Sequence, residues 1–95
     1  MGKLEKSARG RECQVRIPGV CNYDPATVVL CHLHNGGMGR KCDSLFAFFG
    51  CSDCHDVCDG RRKTSIKPDY IKEWTHEAVF RTQKIWLDEG LIKID

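Results

Sequence analysis

The run Cys51-Ser-Asp-Cys54-His55-Asp-Val-Cys58-Asp59-Gly60 carries most of the chemistry legible in this 95-residue chain. A C-x2-C pair puts two thiolates on one tight turn, at about the separation a tetrahedral metal ion needs. His55 follows Cys54 directly, and Asp59 lies four residues beyond it. In a helix starting here, the imidazole and the carboxylate stand one turn apart on one face. The thiolates then point to one side of the turn and the other two groups to the other. Such a segment can hold a structural zinc and build a second, harder metal site beside it. The plainer reading is a zinc knuckle in which His55 and Asp59 are only neighbours.

The rest of the chain must supply the frame. Ninety-five residues make one domain with a small core, so an internal staple is expected. Seven cysteines offer one. The first twelve residues are charged and hold no apolar run, so neither a signal peptide nor a membrane anchor is expected there. No stretch approaches the ~20 apolar residues of a membrane helix. A cytoplasmic location follows as the expectation, and there cysteines bind metal more often than they form disulfides. The net charge of +2 says little, but its distribution says more. Lys3, Lys6, Arg9 and Arg11 crowd the first segment, Arg40 and Lys41 precede Asp43, and Arg61, Arg62 and Lys63 follow the cysteines. Basic residues flanking a metal centre suit a phosphate backbone; a solvated basic face is the bland alternative.

Along the chain, residues 1–12 read as a polar basic arm, in part helical. Cys13 and Cys21 bracket Ile17-Pro18-Gly19-Val20, a turn that can bring them together. Residues 27–33, rich in β-branched and apolar side chains, read as a strand carrying Cys31 and His32. Asn35-Gly36-Gly37-Met38-Gly39 ends it in a loop whose glycines allow close backbone approach to a ligand. Residues 44–49 form a second apolar run, strand or buried turn. A short helix is expected from about Cys54 to Gly60. A longer C-terminal helix is expected over 68–89, with Pro68 in its first turn and Gly90 as its stop. Ile71, Trp74, Ala78, Thr82 and Ile85 recur there at helical spacing and read as packing surface. His76 on the same helix reads as a surface histidine, and Trp74 and Trp86 as core or partner-facing. Residues 91–94 suggest a short terminal strand.

Taken in order, the chain presents a cysteine pair, a strand with a histidine, a glycine loop, an acidic residue, then C-x2-C-H with an aspartate one turn on. This order resembles the HNH, or His-Me finger, nucleases. Their core is a β-hairpin and a helix around one catalytic metal ion, and many also carry a four-cysteine zinc. The resemblance is closest to the YbcO-type nucleases of lambdoid prophages. It is carried by Ala8-Arg9-Gly10-Arg11-Glu12-Cys13-Gln14-Val15-Arg16-Ile17-Pro18-Gly19-Val20-Cys21-Asn22, by Leu30 to His32, by Asp43, and by Cys51 to Asp59. Arg81-Thr82-Gln83 with Ile85-Trp86 adds support.

The resemblance implies an α+β fold: a small zinc-stapled ββα-metal core with a C-terminal helix. It implies structural zinc on Cys13, Cys21, Cys51 and Cys54, and a catalytic Mg²⁺ or Mn²⁺ on His55 and Asp59. It makes His32 the general base and Asp43 the residue that orients it, where the wider family usually has asparagine. Some positions depart from the pattern. Cys31 stands where many relatives have a metal-binding Asp or His, and thiolate is a poor ligand for magnesium. His34 shares a strand face with His32 and is a rival base. Cys42 and Cys58 are rival zinc ligands. The implied function is metal-dependent endonuclease activity on nucleic acid, with DNA the expected substrate, in phage recombination or DNA processing. A phage or host recombination protein is a further possible partner, and no membrane is involved. The alternative class is a non-catalytic zinc module that grips nucleic acid or protein. An iron–sulfur carrier is the weakest reading, since four thiolates also suit iron.

Overall fold

The computed structural model describes residues 3–33 and 44–93. Helix α1 (Lys3–Ser7) opens the chain, and a 3-10 turn (Pro25–Thr27) leads into strand β1 (Val29–His32). A second 3-10 turn (Ser44–Phe46) precedes strand β2 (Ala47–Gly50), then helix α2 (Ser52–Cys58) and helix α3 (Pro68–Asp88). The result is a small α+β arrangement: a two-stranded antiparallel sheet packed against helices. The register pairs Val29 with Gly50, Leu30 with Phe49, Cys31 with Phe48 and His32 with Ala47.

All four residues of β2 are buried, because other elements cover it on several sides. At Phe49 the backbone groups turn away from β1, and a buried N–H or C=O needs a partner. The Phe49 N–H donates to Thr82 Oγ1 of α3 at 3.1 Å. Its carbonyl accepts from the Gln14 N–H at 2.8 Å. The Phe49 ring meets Trp86 edge-on, centroids 5.9 Å apart. Trp86 is fully buried, and its indole N–H donates to Ser7 Oγ at 2.8 Å. Thus α3 and the segment from Ser7 to Gln14 clamp β2 between them.

Several elements differ from the sequence expectation. The first residues are not a free polar arm: Ala8 is fully buried and Leu4 packs on the core. Arg11 pairs with Glu89 at 2.5 Å, joining this segment to the end of α3. The strand expected over 27–33 shortens to Val29–His32, because Thr27 Oγ1 donates to the Asp24 carbonyl and closes a turn. In α3 the buried stripe is Thr75, Ala78, Val79, Thr82 and Trp86. Ile71, Trp74 and Ile85 flank it, partly buried. The stripe is rotated slightly from the one read in the sequence. Its two buried threonines each find a partner: Thr75 donates to the Ile71 carbonyl, and Thr82 accepts from Phe49. No terminal strand forms among residues 91–93. The N–H groups of Leu91 and Ile92 instead donate back to the Trp86 carbonyl, with Gly90 at φ 76° making the reversal. Ile94 lies outside the described residues.

Candidate functional site

The sulfurs of Cys13, Cys21, Cys51 and Cys54 lie within 4.8 Å of one another. Two loops and one helix start bring them there. Cys51 caps α2, its Sγ accepting from the Cys54 N–H at 3.4 Å. A thiol can thus serve as N-cap and metal ligand at once, which is why α2 begins at Ser52 and not at Cys54. The Arg16 N–H donates to Cys13 Sγ at 3.5 Å. Arg16 and Tyr23, shortly after Cys13 and Cys21, have φ of 46° and 56°. Left-handed backbone at a non-glycine residue costs roughly 1–2 kcal/mol, and here it curls each loop back toward its sulfur.

The donor set fits a metal ion. With Zn–S bonds of about 2.3 Å, the edge of a tetrahedron is about 3.8 Å, and Cys21 Sγ and Cys51 Sγ are 3.8 Å apart. The thiols are also electrostatically coupled. A hydrogen bond with Cys54, helped by backbone N–H donors, draws Cys13 down to about 4, and the same bond with burial pushes Cys54 up. Burial pushes Cys21 up to about 11. The raised pair stay protonated in the absence of metal, and all four could become thiolates together only with a cation among them. The cluster can hold a metal such as zinc. Cys31 and Cys58 stand outside it: Cys31 is fully buried on β1, and Cys58 Sγ lies 3.5 Å from Thr75 Oγ1. Cys42, the other rival ligand, lies outside the described residues, as do His34 and Asp43.

On α2, His55 Nε2 and Asp59 Oδ2 are 3.0 Å apart, so the helical spacing brings the pair into contact. This is the separation of a direct hydrogen bond, and it also equals the edge of about 3.0 Å of an octahedral ion with bonds of about 2.1 Å. The same Oδ2 accepts from Arg61 Nη2 at 2.7 Å. His32, at the end of β1, is partly buried, and its Nε2 lies 4.0 Å from Glu5 Oε1 of α1. His32 and Asp59 line a common cavity of about 550 Å³, which the first half of α3 closes from the far side. The sequence reading missed Glu5, Lys72 and His76. Glu5 sits in a segment read as a free arm, where no signal pointed to it. Lys72 and His76 are four residues apart and exposed, and only the docking of α3 sets them at the rim of the cavity.

The basic runs are more engaged than their composition suggests. Arg61 pairs with Asp59, Arg62 with Asp53 and Arg16 with Glu12. Each such surface pair contributes little to stability, but each neutralises a cation otherwise open to phosphate.

The family model described as "Putative nuclease YbcO" matches residues 2–91. The chain belongs to the YbcO family. It is 52% identical to "Putative nuclease YbcO" of Escherichia coli K12 over 96 aligned positions, covering 98% of this chain and 99% of that protein. The same identity and coverage hold for "Putative nuclease ybcO" of Enterobacteria phage 82. A solved structure described as "a putative bacteriophage protein" from Escherichia coli K-12 MG1655 superposes with a TM-score of 0.77 at 50% identity. That match covers 92% of this chain and 99% of the other. A YbcO-family chain with a four-cysteine cluster is what the sequence led one to expect. Among the described residues, no helix is long and apolar enough to cross a membrane.

Proposed function

We propose that this chain is an HNH-type, metal-dependent endonuclease that hydrolyses phosphodiester bonds, with DNA as its substrate, in phage recombination or DNA processing. One observation carries the reading: His32, ending the first strand of a hairpin, and Asp59, closing the helix that follows, line a single cavity. The nuclease name of the relatives supports it.

The residues divide the labour. The four cysteines hold zinc and fix the start of α2, and with it the direction of His55 and Asp59. His32 takes the proton from the attacking water, a task for which imidazole is suited near neutral pH. Asp43, outside the described residues, takes the orienting role that the HNH resemblance assigns to it. His55 and Asp59 would hold Mg²⁺ or Mn²⁺. Such an ion, when bound, polarises a phosphoryl oxygen and neutralises charge on the leaving group. For Asp59 to serve, Arg61 must release the oxygen it holds. Arg61 is largely exposed, so that release is inexpensive.

The Arg61–Asp59 pair also favours a second reading, in which the carboxylate is structural and the chain is a zinc module that binds nucleic acid or a recombination protein. Plasmid cleavage by zinc-loaded protein with Mg²⁺, Mn²⁺ or neither separates the two. His32→Ala should lower the rate by about 10²–10⁴ while zinc content and DNA binding persist, and His34→Ala should be milder. Duplex binding without divalent-dependent cleavage would leave the module reading standing.

A further inference from the structure

We infer that Lys72 and His76 of α3 form the wall that grips the substrate phosphodiester, opposite the wall carrying His32 and Asp59. This rests on the nuclease reading of the same cavity. The two residues are four apart on α3 and so share a face. Both line the cavity that His32 and Asp59 line. Thr75, beside them, is buried against Cys58, which fixes how α3 is rotated and leaves Lys72 and His76 exposed at the rim of the cavity. Lys72 also stands apart from the other cations near the cluster. Arg61 and Arg62 are tied to Asp59 and Asp53, whereas no carboxylate among the described residues forms an ion pair with Lys72. Lys63 and Lys67 bracket Thr64 and Ile66, which also line the cavity. Asp69, Glu73 and Glu77 share a shallow depression on the outer side of α3 with Lys72 and His76, so the ammonium and the imidazole stand on the ridge between that acidic depression and the cavity. A cavity with a general base and a carboxylate on one wall needs positive charge and N–H donors on the other to hold a phosphate in line. An ammonium and an imidazole supply both.

The test measures binding of a short fluorescein-labelled duplex to zinc-loaded full chain by anisotropy across a salt series, with Ca²⁺ present to suppress cleavage. Lys72→Gln should weaken binding at least about fivefold and lower the slope of log K against log salt by about one. Lys72→Arg should restore both. His76→Ala should weaken binding with little change in slope, and His76→Gln, which keeps an N–H donor, should recover part of the loss. Zinc stoichiometry and melting temperature should stay at wild-type values in all four. Lys84→Gln is the control, because Lys84 pairs with Asp88 away from the cavity. If Lys72→Gln and His76→Ala bind as wild type does, or if Lys84→Gln loses as much slope as Lys72→Gln, the inference is overturned and the nuclease reading stands. If wild type binds no duplex at all, both fall together.

Discussion

Replacing Gly50 with alanine is the smallest change that reaches the floor of the site. A Cβ there would stand 2.9 Å from Cys31 Sγ and 3.0 Å from Phe48 Cε2. Both neighbours belong to fully buried side chains, and carbon prefers contacts of about 3.5–4.0 Å. Something must therefore shift by at least ~0.5 Å in a packed interior. Overpacking of this kind costs about 1–3 kcal/mol, and each kcal/mol lowers the melting temperature of a chain this size by about 4–8 °C. Cys31→Ala removes the nearer obstacle. Alone it leaves a void and costs on the order of 1 kcal/mol. In the double variant the new methyl group occupies part of the space the sulfur vacated. The two costs should then fail to add, with a coupling of about 0.5–3 kcal/mol in favour of the pair. Relief is partial, since the Phe48 contact remains. The assay is urea unfolding followed by circular dichroism at one saturating zinc concentration, because bound metal adds stability by mass action. Additivity within about 0.5 kcal/mol would refute the close approach of β1 to Gly50.

Other consequences are equally direct. Cys54→Ser should abolish stoichiometric zinc binding and loosen the fold, read by metal analysis and by thiol titration before and after chelation; Cys31→Ser should leave zinc content unchanged. Thr82→Val should cost about 1–3 kcal/mol by leaving the Phe49 N–H without an acceptor, measured by urea unfolding. Glu5→Gln should lower cleavage activity without altering zinc content, since its carboxylate faces the His32 ring. The Arg11 guanidinium holds the Glu89 carboxyl below its usual value. A lowered folded-state value means stability that is present above the unfolded value and lost as pH falls through the folded one. Arg11→Met should therefore unfold at a slightly higher pH than wild type in an acid titration, by a small margin because the pair is exposed.

The parts of this molecule that were legible in its sequence are those set by local chemistry. The C-x2-C-H spacing fixed which side chains share a helix start, and Pro68 and Gly90 bounded α3 to within a residue or so. The four-cysteine group is brought together as the motif required. What could not be read depends on long-range docking. Nothing local marks the first segment as a core element; Ala8 is buried and Ser7 half-buried because α3 brings Trp86, 79 residues beyond Ser7, against them. The pairing of Arg61 and Arg62 depends on side chains the helix happens to present. His76 is a surface residue, as read from the sequence, but the same docking sets it at the rim of the cavity. Residues 91–93 were misread because an apolar run after a helix looks the same whether it pairs with a strand or folds back onto the helix end.

The clamp on β2 has a consequence for the order in which the protein is made. The hairpin, the cysteines and α2 all leave the ribosome before α3, yet the outward bond of the Phe49 N–H and the anchorage of α1 await Thr82 and Trp86. Contacts closing so large a span form late, since the chain must sacrifice loop entropy before they repay it. In the nascent chain, Ser7 and the Phe49 N–H therefore stay without these partners until the last turns of α3 have been synthesised.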